Sequence, residues 1–245
     1  MIIGLDKTFK PEWVYKILQI AKPNTLYEEK KEEILNIIEF DGYEAKKKAS
    51  SIIRRYYLLF HKKQGKEYFS ENYLHTLAKK YSFETMKPLI LFVLLCNCEI
   101  ANYLQKNINL MFCDKKTIDK KVLQIKTKEK FGDRTIIRYA VSYYLTILSY
   151  FDILIKNKSE YKWKNKKLDC TDYVIKDMIL IYSNINDKYE IEKEKIENET
   201  NFLVFNLKNL ENILREYNTI HWKLQKRLDS NKIIIDEKIK IKKTI

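Results

Sequence analysis

The residues whose types and spacing could act chemically sit in Asp133–Lys167. Arg134, Thr135, Arg138 and Ser142 recur on one helical face, opposite an apolar stripe of Ile137, Val141, Tyr144, Leu148 and Phe151. Arginine can bond guanine bidentately, and threonine can touch a thymine methyl. From Lys156 to Leu168 six lysines face only Glu160, a net of +5. Four of them, Lys156, Lys158, Lys162 and Lys164, flank or alternate with Tyr161 and Trp163 in a hairpin-like pattern. Such lysines neutralise phosphates without reading bases. The chemistry implied is non-covalent recognition of double-stranded DNA. A second cluster comprises Lys46, Lys47, Ser50, Arg54 and Arg55. Between Tyr43 and Tyr68 eight basic residues face Glu44 and Glu67, a net of +6.

Signals for covalent chemistry are missing. The sequence has no Walker A, G-x-G-x-x-G, G-x-S-x-G or H-E-x-x-H pattern. His61, His75 and His221 are isolated from one another, and His75 reads as a satisfied histidine. Cys96, Cys98, Cys113 and Cys170 form no C-x-x-C pair and read as reduced thiols. Most carboxylates lie in Lys/Glu helices as ion-pair partners. Glu160–Lys162 matches a degenerate nuclease phrase that such a composition produces by chance. The expectation is a non-enzyme with no metal and no cofactor.

The formal charge is +14. It implies either a polyanionic partner or the general lysine enrichment of an AT-rich genome, and only its distribution can decide. Hydrophobic residues make up 45%, sufficient for a core, while 4 glycines and 3 prolines argue for long helices. The start MIIGLDKTFKPEW is too polar for a signal peptide. The longest apolar run, Leu89–Cys98, is too short to span a membrane. A cytoplasmic protein without a membrane segment is expected.

The elements follow from punctuation. Helices are expected from Pro11 to Ile20, from a Thr25 cap with Glu28 as its capping-box partner, and over Tyr43–Phe60 after an Asp41-Gly42 turn. Residues 70–112 read as the hydrophobic centre. There Ser70 caps one helix to Lys80, and Pro88 opens another to about Gln105. Asp114 or Thr117 starts a basic helix that ends at Phe131-Gly132. Asp133 caps Arg134–Tyr150, and a strand at Ile153–Ile155, a turn at Lys156–Ser159 and a strand at Tyr161–Lys164 follow. A helix at 171–185 comes next. The acidic run Asp187–Glu199 reads as a solvated helix or linker. Asn206 caps a last helix, Trp222 and Leu224 suggest a strand, Asp229-Ser230-Asn231 a turn into a strand at Lys232–Asp236, and Lys238–Lys243 a frayed tail. The fold class is mainly α, a helical protein with helix-turn-helix or winged-helix units and short β-hairpin wings. Three regions result: 1–68, an N-terminal helix-turn-helix-like unit; 69–186, a central helical region with a winged helix at 114–168; and 187–245, an acidic helix or linker with a small C-terminal helix-and-hairpin unit.

Lys46–Phe60 (KKKASSIIRRYYLLF), the apolar middle helix and Asp133–Leu154 (DRTIIRYAVSYYLTILSYFDIL) resemble, in order and spacing over roughly residues 10–185, the BrxA-like accessory proteins of bacterial BREX phage-defence systems. The resemblance implies a small helical, winged-helix, DNA-binding protein that is not a catalyst and acts in phage defence beside methyltransferase and ATPase partners. The acidic 187–199 run and the terminal hairpin do not map onto it. The expectation is a non-enzymatic double-stranded DNA-binding protein of a defence or regulatory complex. The alternatives are a protein-interaction scaffold, such as a phage-encoded inhibitor, and a divergent nuclease.

Overall fold

A computed structural model describes residues 4–158, 160–226 and 231–243. Its centre is a helix buried over most of its length. In chain order the elements are α1 (Pro11–Ile20), α2 (Tyr27–Ile37), α3 (Tyr43–Tyr57), β1 (Phe60–Lys63), β2 (Lys66–Phe69), α4 (Tyr73–Lys80), α5 (Phe83–Asn97) and α6 (Glu99–Phe112). Then come β3 (Thr117–Ile118), α7 (Lys120–Phe131), α8 (Thr135–Tyr150), β4 (Leu154–Asn157), β5 (Glu160–Trp163) and β6 (Leu168–Asp169). The chain continues with α9 (Asp172–Asn186), β7 (Glu190–Glu192), α10 (Lys193–Asn198), β8 (Phe205–Asn206), α11 (Leu210–Glu216), β9 (Lys223–Lys226) and β10 (Asn231–Ile234). The protein is mainly α with small sheets, as the scarcity of glycine and proline implies.

Every residue from Leu89 to Leu95 is buried in α5. A helix that is apolar all round must be covered on all sides, and α5 packs against α1, α3, α4, α6 and α9. Ser82 caps it by accepting from the Thr85 amide at 3.4 Å. Pro88 therefore lies inside the helix rather than opening it, where it forgoes the bond to the Glu84 carbonyl. Cys98 takes an extended conformation and separates α5 from α6 by a 107° bend, where one helix to Gln105 was expected. Among the described residues no single helix is long and apolar enough to cross a membrane.

One order of elements recurs around this helix: helix, short strand, helix, helix, strand, strand. It comprises α1, the single bridging residue Leu26, α2, α3, β1, β2; then α6, β3, α7, α8, β4, β5; then α9, β7, α10, α11, β9, β10, with β8 inserted between α10 and α11 to pair with β6. Sheet order is also shared. The last strand lies between the other two in β3-β5-β4 and in β7-β10-β9, and Leu26 bridges Tyr68 of β2 on the side away from β1. The third copy contains the 187–199 run. Of the two expectations for it, the solvated helix holds for α10, where Ile196 is the buried residue, while the linker does not, because Ile191 is buried and β7 pairs with β10.

Several expected boundaries shift because the expected capping group has another partner. Thr25 does not cap α2. Its carbonyl accepts from Phe69 of β2, and the helix begins after Leu26. Residues 11–60 are therefore not helical throughout. α3 stops at Tyr57, and Phe60 opens a hairpin that turns at Gln64-Gly65, both left-handed. Asn72, not Ser70, caps α4, accepting from Leu74 at 3.1 Å. Asp119, not Asp114 or Thr117, caps α7, because Thr117 pairs with Lys162 in the sheet. Asn209 precedes α11 in place of Asn206, which lies in β8. Of the expected Asp229-Ser230-Asn231 turn, 229 and 230 lie outside the described residues, as does Ser159.

The tail is not frayed. Residues 235–243 run back as an extended strap. The Asn184 side chain donates to the Glu237 carbonyl at 3.1 Å and accepts from the Ile239 amide at 3.1 Å. Tyr73 donates its amide to the Lys240 carbonyl at 2.7 Å, and Asn97 donates to the Lys242 carbonyl at 2.9 Å. Nearby, fully buried Asp177 of α9 accepts from Tyr73 and Tyr81 at 2.6 and 2.8 Å and pairs with Lys176 at 2.5 Å, joining α4 to α9. Leu91→Ala in α5 is expected to lower unfolding stability by about 2–5 kcal/mol in urea titrations. Leu110→Ala, at a position 69% exposed on α6, is expected to change it by about 0.5 kcal/mol or less.

Candidate nucleic-acid interface

The second repeat presents the residues that spacing pointed to. Gly132 closes α7 with a φ of +84°, a conformation that other side chains adopt only under strain. α8 then buries Ile137, Val141, Tyr144, Leu148 and Phe151, leaving Arg134, Thr135 and Arg138 exposed and Ser142 half-buried. Asp133 is not the cap of α8. Arg134 occupies that position without a side-chain bond, because the Asp133 carboxylate faces Lys128 at 3.0 Å and Arg138 at 3.0–3.2 Å. These two cations, Lys128 first, hold its pKa below the usual carboxylate value. Arg138 is thus already engaged. Arg134 has no ion-pair partner among the described residues. Tyr139 is exposed on the same helix, its ring 6.1 Å from that of Tyr143.

The hairpin β4–β5 carries the four expected lysines with its polar side outward. Tyr161 is buried and Lys162 and Lys164 are exposed. Lys156 lies in β4, opposite Tyr161, rather than in a turn, and its ammonium sits 6.0 Å from that ring's centre. Lys158 takes a left-handed conformation at the turn. Two of the four are partly neutralised: Lys162 lies 3.7 Å from Glu160, and Lys164 2.5 Å from Asp152. Asp152 also pairs with Lys87 of α5 at 2.5 Å, so one carboxylate ties the central helix to the hairpin.

Among the described residues, the third helix and hairpin of the first repeat carry more unpaired cations than those of the second. Lys46, Lys47 and Lys48 lie in the N-terminal half of α3, where Lys47 pairs with Glu44 at 3.3 Å and covers the exposed Tyr43 ring at 4.4 Å. Ser50, expected on that face, is buried instead. Arg54 and Arg55 are tied into the fold. Arg54 pairs with Glu67 of β2 and lies against the edge-to-face pair of Tyr27 and Phe60, 4.5 and 4.6 Å from their ring centres. Arg55 reaches the Gly4 carbonyl at 3.4 Å. The hairpin β1–β2 adds Lys62, Lys63 and Lys66, all exposed and without ion pairs among the described residues. Sequence reasoning counted these lysines but placed no hairpin here. The available signal was the Gln64-Gly65 turn between Phe60 and Phe69, whose rings pack 5.2 Å apart. The His75 ring is buried, with Nδ1 2.6 Å from the Leu18 carbonyl, which fits a core histidine.

Two outcomes test these assignments. Arg54→Lys is expected to cost about 1 kcal/mol in stability, because a compact, strongly hydrated ammonium cannot replace the guanidinium's contact with both rings. Asp152, held below the usual carboxylate value by Lys164 and then Lys87, contributes stability above a pH near 3.8 that is lost as pH falls through its lower folded value. Its exposure limits this to about 1 kcal/mol or less. Asp152→Asn should abolish that part of the acid sensitivity in unfolding curves taken between neutral and acid pH.

Compared with known proteins, the chain matches no family model, no curated protein and no solved structure, so the reading of these surfaces rests on their own residues.

Proposed function

We propose that the protein is a non-enzymatic, double-stranded DNA-binding protein whose three repeats are winged-helix units. The observation that carries this reading is the first repeat, where a helix rich in free lysines is followed directly by a hairpin with three more. In a winged helix the third helix enters the major groove and the hairpin tracks the backbone. α3 would supply Lys46, Lys47 and Lys48 to the groove edge, and Lys62, Lys63 and Lys66 would neutralise phosphates. α8 and its hairpin would add a second contact, with Arg134 free and Arg138 released from a surface ion pair at little cost. The likeness to BrxA-like accessory proteins adds the context of a phage-defence complex.

A second reading applies to the third repeat. Its α11 carries Glu211, Arg215 and Glu216, and Glu211 pairs with both Lys193 and Arg215. That helix offers no cationic face, which favours docking of a protein partner there over DNA.

Duplex DNA binding should be measured by fluorescence anisotropy across a salt series. The logarithm of affinity is expected to fall linearly with that of salt concentration. Replacing Lys62, Lys63 and Lys66 together with alanine should reduce the slope by about 3. Replacing Arg134 and Arg138 with alanine should weaken discrimination between sites by about 1–3 kcal/mol per lost base contact. Absent or salt-independent binding, together with stable capture of a protein partner, would replace this reading by that of a scaffold.

A further inference from the structure

One concave site gathers cations without enough carboxylates to match them. It lies where the end of α3 meets the first hairpin and the C-terminal strap, and is lined by Ser51, Arg54, Arg55, Phe60, Glu67 and Lys242. Glu67 is engaged by Arg54. Arg55 reaches the Gly4 carbonyl at 3.4 Å, lies 5.9 Å from the Tyr56 ring centre and has no ion pair among the described residues. Lys242 has none either. Two positive charges therefore share a notch with no carboxylate of their own.

The notch is built. The buried Asn97 amide donates to the Tyr56 carbonyl at 3.3 Å and to the Lys242 carbonyl at 2.9 Å, fixing the strap against the end of α3. Gly4 closes the other side. A Cβ there would lie 2.0 Å from the Tyr56 hydroxyl oxygen, so only glycine permits this approach. Burial, and then the Arg54 guanidinium, hold the Lys242 ammonium below the usual lysine range. Holding like charges together in this way is unfavourable unless an anion joins them. A guanidinium fork, a point-charge ammonium and the exposed Ser51 hydroxyl form a donor set suited to a tetrahedral oxyanion.

We propose that this notch is a binding site for a phosphate-class oxyanion, held by Arg55, Lys242 and Ser51. A phosphodiester of duplex DNA and free phosphate both offer that chemistry. In the first case the site rests on the DNA-binding reading above; in the second it stands without it.

The test uses the full chain and two probes. Inorganic phosphate is titrated against chloride at matched ionic strength while thermal unfolding is followed. A saturable rise in Tm with phosphate is expected for the wild type and for Lys106→Met at an exposed position of α6, and its loss is expected in Lys242→Met and Arg55→Met. Lys242→Met removes no side-chain hydrogen bond among the described residues, so it keeps the test valid if Arg55→Met fails to fold. Duplex binding is the second arm. A roughly fivefold weakening by Lys242→Met at moderate salt, with a slope smaller by about 0.9, assigns the anion to the DNA backbone. A phosphate response that Lys242→Met abolishes, with DNA affinity unchanged, supports the notch and assigns it to free phosphate. If the wild type binds no DNA but keeps that response, the DNA reading fails and the notch stands. If Lys242→Met alters neither response, the proposal is overturned.

Discussion

The structure depends on one constraint: α5 has no polar face. From Leu89 to Leu95 each side chain requires cover, and the cover comes from all three repeats. Phe92 illustrates the reach of this core, with its ring 4.8 Å from Phe202 and 5.8 Å from Phe205 of the third repeat. α1 and α3 approach α5 from the first repeat and α6 from the second. The hydrophobic term acts without direction; direction is supplied by polar joints at the margin, such as Asp152 with Lys87, Asp177 with Tyr73 and Tyr81, and Asn97 with the strap.

With the apolar faces turned inward, the repeats differ mainly in what they leave outside. The first leaves lysines on a helix and a hairpin. The second leaves two arginines, two tyrosines and a hairpin whose lysines are half compensated by Asp152 and Glu160. The third leaves a helix with paired acids. The repeats hold similar numbers of lysines, 10, 11 and 8 over 11–69, 99–163 and 172–234, so the uneven spread of the +14 net charge comes from where the carboxylates lie and not from lysine content.

Periodicity made α1, α3, α8 and α9 legible in the sequence, because an apolar stripe at helical spacing reports one buried face whatever lies against it. The alternation of Tyr161, Lys162 and Trp163 likewise disclosed β5. Caps were less legible, since capping is a competition. Thr25, Asp133 and Asn206 are all good N-cap residues, yet each is engaged by a strand or a cation brought from elsewhere in the chain. The first hairpin was hidden because its strands are short, charged and only buried at the ends, where Phe60 and Phe69 meet. The repeat itself is nearly invisible in sequence. Its three copies share an order of elements and a strand pairing, not a set of residues. The notch was also out of reach, because Lys242 lies far along the chain from Arg54 and Arg55.

The strap carries a consequence for how the molecule is made. Lys240 pairs with Glu71 across 169 residues, and Asn97 holds Lys242 across 145. Contacts that distant close late and slowly. As the chain leaves the ribosome, the first repeat can collapse around Trp13 and Tyr57 long before residues 237–243 have been synthesised. Until then its edge at Asn72 and Tyr73 stays unlatched. The order of synthesis and the order of locking thus run in opposite directions, and the start of α4 is fastened by residues translated up to 169 positions later.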